Sequence, residues 1–161
     1  MFHGFQESSK QAFLHKQRPE NVVVSELERD GDRYFVEALP PPPNHILADG
    51  DPEFHSCVYL LEASRQCGLM ITHVLGGVPL DLSMILLYVR MVLNRPALRK
   101  ERLTIAFVPE ARSSFSPNTI GSMDLSLCAK DEVLGRISIH ALIADAEEYG
   151  RQRWSRGESN A

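Results

Sequence analysis

One segment of the chain carries the residue types that proton-transfer chemistry requires: two histidines and, at helical spacing after them, one glutamate. His45 and His55 precede an apolar run, and Glu62 lies inside that run among residues that should be buried. A buried carboxylate costs free energy unless it is paired or has a function. Burial would raise its pKa toward a value suited to proton transfer, with an imidazole as the complementary acid or base. We therefore take Glu62, His45 and His55 as candidate catalytic residues.

Residues around this segment could contact a substrate. Arg65 could hold a phosphate or carboxylate through its planar guanidinium fork, and Gln66 follows it on the same helix face. Asp49 lies between the two histidines. Cys57 near the helix start could have a lowered pKa and act as a nucleophile, although a small buried hydrophobe is an equally ordinary role for cysteine. We take Arg65, Gln66, Asp49 and Cys57 as candidate substrate-binding residues.

The same residues allow a structural interpretation. Glu62, Arg65 and Gln66 have the i, i+3 and i+4 spacing of partners on one helix face, which could cover a dimer contact. His55 could bond to backbone at the helix start, and His45 could be a loop residue in water. A metal site built from the histidines and Asp49 would match no standard ligand spacing, so we predict no metal.

Composition restricts the classes of function. A chain of 161 residues with 43% apolar and 24% charged residues fits one domain with a proper core. The net charge of −4 argues against a general nucleic-acid binder. We find no signal-peptide pattern and no apolar run long enough to span a bilayer, and we expect a cytoplasmic protein with no membrane association. Cys57, Cys67 and Cys128 have no paired spacing, which indicates free thiols.

The pattern along the chain predicts an α+β fold of two strands, one long helix and four further strands. The predicted strands cover residues 21–28, 33–39, 82–93, 102–110, 119–129 and 133–144, and the helix runs from between Asp51 and Ser56 to Leu75. Short turns between successive strands favour an antiparallel sheet. Because the helix is apolar almost all round, it needs a sheet curled around it, which is the arrangement of a hotdog domain.

The organisation is predicted to be an arm over residues 1–18, a hotdog domain over residues 19–145 and a charged tail over residues 146–161. In the arm, His15-Lys16 is interpreted as the exposed start of the first strand. His73 is interpreted as a polar residue near the helix end, where a cation suits the dipole. The sheet would have open edges, and a homodimer that pairs two copies edge to edge would resolve them.

Several motifs resemble the A-factor biosynthesis hotdog family. They are His45-x-x-x-Asp49, Phe54-His55, Leu60-Leu61-Glu62-Ala63-x-Arg65-Gln66, the opening Leu14-His15-Lys16 with Val22-Val23-Val24-Ser25, and Gly77-Val78-Pro79. The match covers roughly residues 14–82. The helix more distantly resembles that of the hotdog β-hydroxyacyl-carrier-protein dehydratases, in which a leading histidine and a helical carboxylate form the catalytic pair.

The resemblance implies an acyl-thioester enzyme of secondary metabolism or signal biosynthesis. In the family, the proposed reaction joins a β-ketoacyl group from acyl carrier protein to dihydroxyacetone phosphate. Glu62 and Arg65 fall on the family's motif positions, and Arg65 is the first candidate for the acceptor's phosphate. The implied partner is an acyl carrier protein or an acyl-CoA substrate, with phosphopantetheine present only as part of that substrate and with no other cofactor.

Departures from the family pattern keep other functions open. Ser56-Cys57 stands where the family usually has Asp-Pro, and Ile46-Leu47-Ala48 replaces bulky aromatic residues. Full-length members carry two tandem hotdog units, whereas this chain has length for one. The alternatives are a dehydratase or thioesterase that uses the same pocket, or a non-catalytic acyl-binding protein. In the last case Ile46, Leu47 and the strand at 82–93 could line an acyl tunnel.

Overall fold

The chain folds into one antiparallel sheet and one principal helix. A computed structural model describes residues 14–16, 18–109 and 116–154, with side chains described as far as residue 151. The strands are β1 (Glu28–Asp30), β2 (Arg33–Ala38), β3 (Ser83–Leu93), β4 (Leu103–Phe107), β5 (Thr119–Ala129) and β6 (Glu132–Ala144). The helices are α1 (Cys57–Val74) and α2 (Ala146–Trp154), and single 3-10 turns lie at Pro19–Asn21 and Ile46–Ala48.

The sheet has the order β1-β2-β4-β5-β6-β3, and every neighbouring pair is antiparallel. Buried side chains of α1, among them Leu60, Ala63, Cys67 and Ile71, form one core with buried residues of β2, β4, β5 and β6. This confirms the predicted fold class of a curled antiparallel sheet around one main helix. Strand β3 comes last in the sheet, beside β6, which leaves its outer edge available.

The first predicted strand is only partly regular. The segment around Val23 runs beside β2, since Leu39 donates its N–H to the Val23 carbonyl (2.8 Å) and Ser25 donates to the Glu37 carbonyl (2.8 Å). The Val23 N–H, however, donates to the side-chain oxygen of Gln66 at 3.0 Å. The strand predicted at 21–28 is therefore replaced by an irregular segment, because a helix side chain takes one of its backbone donors.

Helix α1 begins where a capping residue permits. The Ser56 hydroxyl accepts from the Tyr59 N–H at 3.2 Å, which satisfies one of the free donors of the first turn. The buried hydroxyls of Ser64 and Thr72 donate to the carbonyls of Leu60 (2.7 Å) and Gly68 (2.8 Å), one turn earlier. The helix can therefore be enclosed by the sheet without orphaned hydroxyl groups.

The C-terminal tail contains a short helix. Helix α2 starts directly after β6 and packs against β3 and β6. No helix in the described ranges is both long enough and apolar enough to cross a membrane.

Candidate active site

A groove of about 450 Å³ opens between the first half of α1 and the sheet at β3 and β6. Most of its walls are apolar, and its polar side chains come from the N-terminal segment, from the turn at His45 and from α1. The lining residues are Lys16, Asn21, His45, Ile46, Leu47, Val58, Leu61, Glu62, Arg65, Leu86, Val89 and Ile139. The groove brings together two of the predicted catalytic residues, His45 and Glu62, with the predicted substrate-binding residue Arg65.

Glu62 is the centre of a bonded cluster. Arg65 holds it with two bonds, from Nε to Oε2 and from Nη2 to Oε1, each 2.8 Å. Gln66 Nε2 and Lys16 Nζ both approach Oε1 at 2.8 Å. We call Lys16, Glu62, Arg65 and Gln66 the Glu62 cluster. The ion pair with Arg65 and the bond from Gln66 confirm the i, i+3 and i+4 pairing that the sequence allows.

The predicted rise in the pKa of Glu62 is wrong. Burial does raise the pKa, and it is the largest single influence, but hydrogen bonds from Arg65, Gln66 and Lys16 together outweigh it and lower the pKa to about 2. Three of the four contacts fall on Oε1, from Arg65, Gln66 and Lys16, and one falls on Oε2, from Arg65. Glu62 is therefore an ionised anchor for two cations, and it is poorly suited to accept a substrate proton.

The Glu62 cluster gives the groove an excess of positive charge. Among the charged residues that line the groove, Lys16 and Arg65 are cations and Glu62 is the carboxylate. The side chains of Lys16 and Arg65 are 21% and 33% exposed, so a ligand can reach both. A planar guanidinium beside an ammonium group suits a phosphate, a carboxylate or a developing oxyanion.

His45 lines the same groove with both ring nitrogens engaged. Its Nδ1 accepts from the Leu47 N–H at 3.1 Å, as the cap of the Ile46–Ala48 turn. The proton therefore lies on Nε2, which donates to the Asn21 side-chain oxygen at 2.8 Å. The ring is held in one tautomer at the rim of the groove, and it could take a proton only by releasing one of these partners.

The other predicted site residues lie apart from the Glu62 cluster. The His55 ring stacks on Tyr59 with centroids 4.7 Å apart, and burial, assisted by the charge of Arg99, lowers its pKa. Cys57, the first residue of α1, and Asp49, which follows the Ile46–Ala48 turn, are exposed. The groove does not bring His55, Cys57 or Asp49 to Glu62, and their roles stay predictions.

Lys16 of the N-terminal segment is part of the site, and Leu14 and His15 beside it contact the rest of the fold, although the sequence indicates only an exposed lead-in. Leu14 is fully buried in the core. His15 Nε2 lies 2.9 Å from His73 Nε2, while His73 Nδ1 donates to the Val78 carbonyl at 2.8 Å. Lys16 then reaches Glu62. Residues 14–15 therefore form a turn and not the start of a strand, although His15 is exposed as predicted. His73 lies in the last turn of α1 as predicted, but it is buried there and bonded to the Val78 carbonyl.

Gln66 connects the cluster to the segment that carries Asn21. It is fully buried, and besides its bond to Glu62 it donates to the Asn21 carbonyl at 2.7 Å and accepts from the Val23 N–H at 3.0 Å. Asn21 in turn holds His45. Gln66 is therefore a positioning residue that connects the Glu62 cluster to His45 through Asn21.

Two solved structures show the same fold at low sequence identity. A mutant thioesterase from Pseudomonas aeruginosa superposes with a TM-score of 0.58 at 12% identity, over 86% of this chain and 94% of that chain. The dehydratase heterocomplex ApeI:P from Xenorhabdus doucetiae does so with a TM-score of 0.59 at 9% identity, over 93% and 98%. At such identities the likeness concerns the fold alone. Among curated proteins no sequence match is found.

Sequence comparison with family models gives a more specific result. The match is to the A-factor biosynthesis hotdog domain, and it extends over residues 3–145. This range includes the N-terminal segment, helix α1 and all six strands of the sheet. The chain therefore belongs to the A-factor biosynthesis hotdog domain family.

Proposed function

We propose that this protein transfers an acyl group from a thioester to a small hydroxylated acceptor that carries a phosphate. The carrier would be acyl carrier protein or coenzyme A, and a β-ketoacyl group with a phosphorylated triose is the pair that family membership favours. The observation that carries the proposal is the groove itself, in which a mostly apolar wall meets a cluster with excess positive charge.

Each end of the groove suits one part of such a substrate pair. The apolar side chains of Leu61, Leu86 and Val89 can take the acyl chain. Arg65 and Lys16, fixed by Glu62, can bind the phosphate of the acceptor and neutralise charge on the thioester carbonyl oxygen as it develops.

In the transfer step, the acceptor hydroxyl oxygen would attack the thioester carbonyl carbon. The carbon–sulfur bond then breaks, the hydroxyl proton passes through His45 or water to the departing sulfur, and the free thiol leaves on the carrier. The cations of the Glu62 cluster stabilise the transition state electrostatically in this scheme, while His45 handles the proton. Glu62 holds the cations and does not itself transfer a proton.

A second candidate is a non-catalytic acyl-binding protein. One observation favours it: both ring nitrogens of His45 are already engaged, and Glu62 is already held by Arg65, Gln66 and Lys16. Turnover would require one of these partners to move, whereas binding of an acyl chain in the groove would not.

A panel of thioesters separates these functions. The protein would be mixed with β-ketoacyl, β-hydroxyacyl and simple acyl thioesters, each with and without dihydroxyacetone phosphate, and the products identified by mass spectrometry. We expect a condensed ester that requires the phosphorylated acceptor. Loss of water would instead identify a dehydratase and free acid a thioesterase, while bound but unreacted thioester would identify an acyl-binding protein.

The variant Arg65→Lys gives that panel a residue-level test. It keeps the charge but loses the planar fork, so we expect a KM for the phosphorylated acceptor raised about tenfold or more, with little change in the KM of the thioester. Arg90→Lys, an exposed arginine on β3 that does not line the groove, is the matched control. Equal effects of the two variants would contradict the assignment of Arg65.

We also propose that two copies pair along β3. This strand has eleven residues at the end of the sheet, and its exposed apolar side chains are Leu86, Leu87, Tyr88 and Val92. An exposed apolar edge strand is a template for pairing, and a second copy would cover it. Leu86 also lines the groove, so the partner would lie at its mouth.

We expect light scattering to give about twice the mass of one chain. The variant Leu87→Lys, with a charge on the edge, is expected to shift the population toward monomer, whereas Val133→Lys, an exposed apolar residue on β6, should not. A monomer at every concentration would exclude this pairing.

A further inference from the structure

Behind the Glu62 cluster lies a second, smaller cavity of about 40 Å³. It lies between the middle of α1 and the sheet, and it shares Arg65, Leu86 and Ile139 with the groove. The two spaces therefore adjoin. The small cavity is lined by Arg65, Gly68, Leu69, Thr72, Met84, Leu86, Gly121, Met123, Ile139, Ala141 and Ile143.

Residues with little or no side chain make this space. Gly68 of α1, Gly121 of β5 and Ala141 of β6 all line it. The hydroxyl of Thr72 is bonded to the Gly68 carbonyl, so its polar group is satisfied within the helix. Apart from Arg65 at the junction with the groove, the lining thus has no charged group, and the cavity suits the end of a hydrocarbon chain.

Met123 stands directly opposite Gly68. A Cβ added at Gly68 would lie 3.1 Å from the Met123 sulfur and 3.6 Å from Ile139 Cδ1. The cavity of about 40 Å³ is much smaller than the groove of about 450 Å³. It therefore suits only the tip of a chain, and the Met123 thioether forms part of its wall opposite Gly68.

We propose that Met123, opposite Gly68, sets the length of the acyl chain that the protein accepts. The inference rests on the proposed function, since it takes the groove to hold an acyl thioester. Chains that end at the junction of the two spaces fit without rearrangement. A longer chain fits only if Met123 turns aside, which an unbranched side chain with three rotatable bonds can do at some cost.

Binding of alkyl chains tests this assignment without requiring turnover. The probes are S-alkyl thioethers of pantetheine with saturated chains of increasing length, which cannot be hydrolysed. For the wild-type protein we expect affinity to rise about fourfold for each added methylene and then to stop rising at one length.

Substitutions at Gly68 and Met123 should change, in opposite directions, the chain length at which affinity stops rising. Met123→Ala is expected to bind a chain two methylenes beyond the wild-type maximum at least about tenfold more tightly. Gly68→Ala is expected to shorten the longest chain for which affinity still rises. In the double variant Gly68→Ala/Met123→Ala, this chain length should return to the wild-type value or exceed it. The control is Met91→Ala, because Met91 packs against the core but lines neither space.

The outcomes separate the failure of this inference from the failure of the proposed function. If Met123→Ala changed the preferred chain length but the protein showed no transferase activity, the role of Met123 would be supported and the proposed transfer reaction would be contradicted. An unchanged maximum in Met123→Ala, with thermal unfolding showing that the variant is folded, would overturn the role of Met123. If no chain bound the wild-type protein, both proposals would be overturned.

Discussion

Glu62→Gln is expected to lower acyl transfer about 100-fold and the free energy of unfolding by about 2 kcal/mol. Glutamine keeps the shape of the side chain but presents an amide N–H₂ to donors on Arg65, Gln66 and Lys16. The two cations would then lack their shared anion and lose their positions, and a misplacement of about 1 Å is enough for a loss of that size. Single-turnover kinetics and urea unfolding measure the two effects.

An exposed ion pair in the same protein supplies the control. Glu132 accepts from Arg95 as Glu62 accepts from Arg65, but the Glu132 side chain is 58% exposed. Solvent screens such a pair, so Glu132→Gln should leave both the free energy of unfolding and the transfer rate nearly unchanged. If Glu62→Gln were as mild as Glu132→Gln, Glu62 would not organise the site.

The pH dependence of stability follows from the same carboxylate. Its pKa falls from the ordinary 4.5 to about 2 on folding, so its contribution to stability is fully present above about pH 4.5 and is lost as the pH falls to about 2. The groove is open to solvent, so we allow for screening and expect a loss of about 2 kcal/mol across this window. Glu62→Gln should remove that part of the acid dependence.

Gln66→Leu is expected to lower the free energy of unfolding by about 3 kcal/mol. Leucine would fill a similar volume, so the cost comes from polar groups left unpaired. The Val23 N–H and the Asn21 carbonyl would lose their partner, at about 1–3 kcal/mol for each buried group. Urea unfolding measures the loss, and activity should fall as well because Asn21 positions His45.

The control for this variant is another buried polar residue of α1. Ser64 is as fully buried as Gln66, but its hydroxyl donates within the helix to the Leu60 carbonyl. Removing it leaves no orphaned donor, so Ser64→Ala should cost less than about 1 kcal/mol. Similar costs for the two variants would mean that the bonds of Gln66 to the N-terminal segment do not stabilise the fold.

Most of the fold could be predicted because its signals are local. Ser56 caps the start of α1, and Gly76-Gly77 follows its end. Strands β3 and β5 begin and end within one residue of their predicted positions. The pairing of Glu62 with Arg65 and Gln66 is local too, since it depends only on helical spacing. The hotdog topology then follows from one apolar helix among short antiparallel connections.

The environment of Glu62 could be predicted only in part, because one of its three partners, Lys16, is distant in sequence. Helical spacing suggests burial, and burial alone raises a carboxyl pKa. Only the folded chain places Lys16 on Glu62, and it does so by burying Leu14 and pairing His15 with His73, which lies 58 residues away. The His-Lys pair that resembles the family's opening was the one sequence signal that pointed to this segment.

The low pKa of Glu62 also constrains how future rate measurements are to be interpreted. A group that stays ionised down to about pH 2 cannot produce the acidic limb of a bell-shaped pH–rate profile near neutrality. Any such limb would report another group of the protein or the substrate itself. Because Glu62 stays ionised near neutral pH, it would keep Lys16 and Arg65 in place there. The groove would therefore favour an anionic ligand throughout the neutral range.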